Sequence, residues 1–225
     1  MEYLMNCYKL IIFDLDGTLL DTVEEIAASM NDMLSEFDLP NVTLDQAKYW
    51  VGKGAPHFLN QVIEHHQLKI DVSYDQLLQR FYHYYEKRSG TGSSLYPGVL
   101  EALETLYKSD YKLSVVTNKF KIGADKVLQS HKIDHLFDDI IGGDSFEHKK
   151  PDPIAVHFLM QKHCVQPEQV LFIGDSTTDV STAKNAGVDV WAVPYGYNHG
   201  QPIEQANPNR VMSSFSDVLD VLTVR

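Results

Sequence analysis

Two aspartates, Asp14 and Asp16, stand two positions apart, directly after a short apolar run from Leu10 to Phe13. The run reads as a buried strand. On extended backbone that spacing sends both carboxylates out on the same side, and Gly17 gives the chain freedom to turn away just beyond them. Two like charges held so close are unfavourable unless a cation or a shared proton offsets them. Phosphoryl transfer uses such a pair, with one carboxylate as nucleophile and Mg²⁺ ligand and the other handling protons. Taken alone, the same residues also describe a solvated Asp-x-Asp-Gly turn closing an ordinary strand.

Three later segments carry groups of matching chemistry. Thr117 and Asn118 follow the strand-like run Lys112–Val116. A hydroxyl and turn N–H groups at such a strand end bind phosphate, although Thr and Asn serve equally as helix N-caps. Lys149 and Lys150 precede Pro151, where restricted backbone ahead of a helix holds a lysine as a point charge for a phosphate or leaves a solvated pair. Gln169–Ile173 reads as a strand ending in Gly174-Asp175-Ser176-Thr177-Thr178-Asp179. Carboxylates four residues apart at the entry to a helix share one side and, as hard oxygen ligands, suit Mg²⁺; an Asp N-cap pair is the plainer account.

The elements that must position these groups follow from periodicity. Val23, Ile26, Ala27, Met30, Met33, Leu34 and Phe37 form one helical stripe, ended by Leu39-Pro40-Asn41. Further helical segments follow, the last with Leu77, Leu78, Phe81 and Tyr85 on one face. Its aromatic run Phe81–Tyr85 is expected to pack a core rather than stack a ligand. Trp50-Val51-Gly52-Lys53-Gly54 interrupts the helical pattern, either as a tight loop that brings backbone and one cation to a ligand or as a plain interhelical turn. Ser89–Ser94 is linker-like.

Beyond Pro97 helix and strand alternate, as in a parallel α/β sheet. Asp139–Ile141 and Val188–Val193 read as further strands, and Pro194–Gly200 as a loop on the same edge. Ser214-x-x-Asp217 reads as a capping box before a last helix carrying Phe215, Val218, Leu219 and Leu222. His131 and His135 have metal-site spacing without supporting ligands, so they read as surface histidines.

Asp14-Leu-Asp16-Gly-Thr18-Leu resembles the first motif of the haloacid-dehalogenase-like phosphatase superfamily. Thr117, Lys150 before Pro151, and Gly174-Asp175-x-x-x-Asp179 are similar to its other three motifs. The resemblance covers nearly the whole chain. Val51-Gly52-Lys53-Gly54-Ala55 and the Tyr195–Asn198 loop add a likeness to its phosphoglycolate-phosphatase-like members, which commonly have a neutral polar residue where Lys53 stands.

The resemblance implies a Rossmann-like α/β core over residues 1–19 and 95–225, with an all-helical cap inserted over residues 20–94. It implies a Mg²⁺-dependent phosphatase for a small phosphomonoester, foremost 2-phosphoglycolate. Asp14 would form an aspartyl phosphate and Asp16 would act as general acid and base. Thr117, Asn118 and Lys150 would bind the phosphoryl group, leaving Lys149 exposed. Asp14, the backbone carbonyl of Asp16, and Asp175 would hold the metal with Asp179 in support, and Gly52, Lys53 and Gly54 would reach the substrate from the cap, where Lys53 is suited to a substrate carboxylate.

At 225 residues, 44% hydrophobic and 22% charged, the chain is ordinary for a soluble globular protein. A net charge of −12 argues against nucleic-acid or anionic-membrane partners. Cys7 and Cys164 give no disulfide framework, and Met1–Asn6 has no signal-peptide pattern. These features predict a cytoplasmic enzyme, monomeric or homodimeric. Within enzymes the alternatives are a phosphatase for another small ester, a pyrophosphatase or a sugar phosphomutase. Outside enzymes they are a receiver-like signalling domain, which would be far shorter, and a non-catalytic phosphate-binding protein, which would have no need of all four charged motif residues.

Overall fold

The apolar run at the N-terminus becomes β1 (Leu10–Phe13), which lies between two parallel neighbours and is buried on both faces. Ile11 and Phe13 enter the core on one face and Leu10 and Ile12 the core on the other, the pattern of a strand covered by helices on both sides. The computed structural model describes residues 8–68 and 72–222. Cys7 and the Met1–Asn6 segment lie outside them.

After β1 come β2 (Leu20–Asp21) and four helices: α1 (Val23–Glu36), α2 (Leu44–Trp50), α3 (Ala55–His66) and α4 (Tyr74–Arg88). The chain returns through β3 (Ser94–Leu95), α5 (Val99–Lys108), β4 (Lys112–Val116), α6 (Lys121–Ser130) and β5 (Asp139–Ile141). It closes with α7 (Ile154–His163), β6 (Val170–Gly174), α8 (Thr177–Ala186), β7 (Asp189–Ala192) and β8 (Arg210–Val211). Six strands form one parallel sheet in the order β5-β4-β1-β6-β7-β8. Phe13 sits beside Val115 and Ile173 in this register. Asp14, Thr117 and Asp175 therefore emerge together at the carboxyl edge, where an open parallel sheet gathers its ligands.

The four helices have an apolar core of their own, built on the predicted stripe of Val23, Ile26, Ala27, Met30, Met33 and Leu34. At their junctions with the sheet, β2 and β3 pair antiparallel, with Leu20 opposite Leu95 and Asp21 opposite Ser94. This two-residue ribbon has no legible pattern in sequence, and neither does the short edge strand β8. The last predicted helix is a 3₁₀ helix, Phe215–Leu222, which buries Phe215, Val218 and Val221 instead of Leu219 and Leu222. A period of three replaces 3.6, because 3₁₀ geometry stacks side chains at i and i+3. No helix among the described residues is long and apolar enough to cross a membrane.

Candidate active site

The backbone N–H of Asp14 donates to Ile173 O at 2.9 Å, locking the end of β1 to β6. The Asp14 carboxylate is thereby set against a buried ion pair, with Lys150 Nζ 2.7 Å from Asp14 Oδ1 and 2.7 Å from Asp179 Oδ1. Asp179 is wholly engaged by protein donors. Its Oδ2 accepts from the N–H of Asp175 (3.2 Å), the N–H of Ser176 (3.0 Å) and Ser176 Oγ (2.6 Å). Ser176 is the N-cap of α8, and the reciprocal bond from Asp179 N makes a capping box. Asp175 accepts from Thr18 Oγ1 at 3.0 Å and from the N–H of Tyr197 at 2.6 Å.

One carboxylate oxygen each from Asp14, Asp175 and Asp179 lies within 4.8 Å of the other two, and all three residues are buried. Burial, then the Asp179 charge, pushes Asp14 up to about 7 against the opposing pull of Lys150. Burial and the charges of Asp179 and Asp14 likewise hold Asp175 well above the ordinary carboxylate range. Burial alone would lower Lys150, but the two carboxylates beside it hold it above its usual value.

This is a site short of positive charge, with three carboxylates facing one ammonium. Backbone closes around it: a Cβ at Gly17, where φ is +89°, would fall 2.4 Å from Asp175 Oδ2. A compact set of hard oxygen donors in such an enclosure fits a divalent cation. Among the described residues it is the one acidic, His or Cys group with metal-holding geometry. His131 instead contacts Ser93 Oγ at 2.9 Å.

Asp16 has partners of its own. Its Oδ1 accepts from Thr22 Oγ1 at 2.7 Å and from Lys119 Nζ at 3.0 Å. Thr117 is buried at the end of β4, and its hydroxyl oxygen accepts the N–H of Lys119 at 3.1 Å. Asp14, Asp16 and Thr117 open into a cavity of about 160 Å³ between the sheet edge and the helices. Phe81 and Tyr85, expected in the helical core, are part of it and also wall this cavity.

Other sequence-nominated residues lie differently. Asn118 lines the same cavity, and its amide donates to Gly52 O at 3.2 Å and to Lys150 O at 3.3 Å, tying the helical region to the sheet. Gly52 and Gly54 line the cavity, whereas Lys53 is exposed and does not. Lys149 is half-buried rather than exposed. Its ammonium donates to Lys53 O at 2.9 Å and borders the cavity. The reason is steric: the two glycines bring backbone against the sheet edge, and the side chain between them points outward.

The Tyr195–Asn198 loop supports the site from behind and does not line the cavity. Tyr195 donates to Thr18 O at 2.8 Å, and Asn198 Oδ1 accepts the N–H of Thr177 at 2.8 Å. The Tyr197 hydroxyl donates to Asp21 and accepts the N–H groups of Thr22 (2.9 Å) and Val23 (3.2 Å), satisfying the free end of α1.

Two groups escaped the sequence reading. Lys119 is buried, and Glu25 on α1 stands 3.9 Å from its ammonium. Glu25 Oε2 accepts the N–H of Gly90 at 2.8 Å, while its Oε1 has no hydrogen-bond partner. Neither lies in a motif: Lys119 follows Thr117-Asn118, and Glu25 falls between Val23 and Ile26 of the α1 stripe. Adjacency to Thr117-Asn118 was the only available signal.

The haloacid dehalogenase-like hydrolase family model matches residues 11–193. A phosphoglycolate phosphatase of Aliivibrio fischeri is 39% identical over 220 residues, covering 96% of this chain and 97% of that protein. One from Vibrio vulnificus is 41% identical over 221 residues, covering 96% of each. A crystal structure described as a predicted phosphoglycolate phosphatase from Haemophilus somnus superposes with a TM-score of 0.91 at 35% identity, over 96% of this chain and 98% of that one.

Proposed function

Because the chain belongs to the haloacid dehalogenase-like hydrolases and is a phosphatase of small phosphate esters, we propose that it hydrolyses 2-phosphoglycolate through an aspartyl phosphate on Asp14. The observation that carries this reading is the pairing of Asp14 with buried Lys150 beside Asp175 and Asp179, with Asp16 two residues on and facing the cavity. Asp14 attacks phosphorus, forming an Oδ–P bond as the ester O–P bond breaks. Asp16 protonates the departing oxygen, then takes a proton from the water that cleaves the acyl phosphate and releases inorganic phosphate. Lys150 and the Thr117 hydroxyl hold the phosphoryl oxygens in place, the positioning and charge stabilisation on which this reaction depends.

Asp14, the backbone carbonyl of Asp16, and Asp175 are the residues to hold Mg²⁺, with Asp179 fixing Asp175 and Lys150 from behind. When bound, the ion neutralises charge that the carboxylates and the phosphoryl group would otherwise share unaided. Residues 20–94 act as a cap over the core formed by residues 1–19 and 95–225. By opening and closing, the cap admits substrate and limits water.

The test is Mg²⁺-dependent phosphate release from 2-phosphoglycolate, several sugar phosphates and pyrophosphate, with Asp14→Asn as control. A preference for 2-phosphoglycolate that vanishes in the variant supports the reading. Asp14-dependent activity centred on another ester retains the phosphatase and discards the substrate.

A further inference from the structure

The cavity into which Asp14 and Asp16 open has largely apolar walls, and Lys119 and Lys149 are the cations that line it. Ile26, Phe58, Phe81 and Tyr85 line it, and Lys119 is the cation set deepest, its side chain 1% exposed. Burying an ammonium is costly unless something holds it. Lys119 Nζ has one hydrogen bond, to Asp16 Oδ1 at 3.0 Å, and lies 4.2 Å from the centre of the Tyr85 ring. Glu25 Oε1, at 3.9 Å, is too distant to accept a hydrogen bond. Glu25's other oxygen is turned to Gly90 and Gly92, and burial pushes its carboxyl upward, weakening its competition for the ammonium. An ammonium has three donors, so Lys119 keeps donors for an acceptor inside the cavity.

We infer that Lys119 is the specificity-determining residue, pairing with a carboxylate that lies one methylene from the ester oxygen. The inference rests on the reading of Asp14 and Asp16 given above. If Asp16 protonates the departing oxygen, that oxygen stands beside Asp16, and the ammonium one hydrogen bond farther on meets whatever the next carbon carries. In a 2-phosphoryloxy acid that group is a carboxylate, for which a buried ammonium is a strong partner. A sugar phosphate offers a hydroxyl there, a weaker partner for the ammonium than a carboxylate. Lys149 is at the rim, bonded to Lys53 O, and Lys150 faces Asp14. Neither is placed for this contact.

The experiment compares kcat/KM for 2-phosphoglycolate and for 2-hydroxyethyl phosphate, which replaces the carboxylate by an alcohol. Lys119→Met removes the cation, and Lys119→Met/Glu25→Gln does so without leaving Glu25 charged and unpaired. Lys119→Arg keeps the charge. Expected is a loss of roughly a hundredfold on 2-phosphoglycolate in both Met variants, at least ten times the loss on the alcohol ester, with partial rescue by Arg. Equal losses on both esters would overturn the inference and make Lys119 a positioning residue for Asp16. Wild-type turnover that depends on Asp14 but does not prefer the carboxylate ester would overturn it while retaining the phosphatase. Absence of Asp14-dependent turnover on either ester would overturn both readings.

Discussion

The ammonium of Lys150 meets the carboxylate of Asp14 at 2.7 Å, with both side chains buried at the carboxyl edge of the sheet. Removing one partner of such a pair strands the other in a poorly solvated place. Lys150→Ala is expected to lower stability by about 3–5 kcal/mol and kcat/KM by a factor on the order of 10³. Asp14→Asn is expected to abolish turnover while leaving the melting temperature unchanged or raised, since it removes one of three crowded carboxylates. Thermal melts and phosphate-release assays on the two variants check this opposition.

The same crowding predicts a pH-dependent response to Mg²⁺. Folded Asp14 keeps its proton up to about 7, whereas its ordinary value is 3.8. Its contribution to metal-free stability is therefore full below 3.8 and is lost as pH rises through about 7. A cation must displace that proton. The stabilisation on adding Mg²⁺, read from thermal melts, is expected to grow from about pH 6 to about pH 8, reaching about 2.7 kcal/mol at roughly a hundred times the dissociation constant. EDTA should reverse it, and Asp175→Asn should remove it. A shift independent of pH would count against the acidic cluster as the binding site.

Gly54 fixes how closely the helical region approaches the sheet. Its φ is +85°, and a Cβ there would stand 3.2 Å from Asn118 O and 2.9 Å from Lys149 Nζ. Gly54→Ala is expected to cost about 1–3 kcal/mol of strain and to reduce kcat/KM by about tenfold, since misplacing one wall of a site weakens the alignment of reacting groups. Steady-state kinetics with a parallel melt separates the two effects.

Far from this chemistry, Asp217 accepts hydrogen bonds from the N–H and hydroxyl groups of both Ser213 and Ser214. Those bonds hold its carboxyl down at about 2, against an ordinary 3.8. Its contribution is therefore present above 3.8 and disappears as pH falls through about 2. Asp217→Ala is expected to cost about 1 kcal/mol at neutral pH, an N-cap magnitude reduced by solvent screening, with turnover unaffected. Denaturant titrations at neutral and acid pH test it.

Much of the framework could be read in one dimension because it rests on short-range rules. The Leu10–Phe13 run, the Asp14–Asp16 pair, the helical stripe on α1 and the Gly174–Asp179 turn each carry their signal within a few residues. Strand ends and helix starts put the polar groups where a parallel sheet collects them. The two-residue ribbon of β2 and β3 offered no such signal, because each half exists only by pairing with the other across more than seventy positions. Nor did the 3₁₀ turn at the C-terminus, where Asp217's bonds and packing override a pattern compatible with an α-helix.

Local pattern was thus enough for the fold class and for bringing Asp14, Thr117 and Asp175 to one edge of the sheet, since strand alternation and turn position dictate where those side chains emerge. It was silent on the surroundings of the organic group. Lys53, between two glycines, looked like the natural partner for a substrate anion, yet the close approach of Gly52 and Gly54 turns it outward. Lys119 took the inner position because Asp16, Glu25 and Tyr85, brought from three separate elements, surround it. Asn118, nominated for phosphate, also donates to the carbonyl of Gly52. The direction of a buried polar side chain is set by whichever distant groups satisfy it, and those groups meet only when the chain has folded.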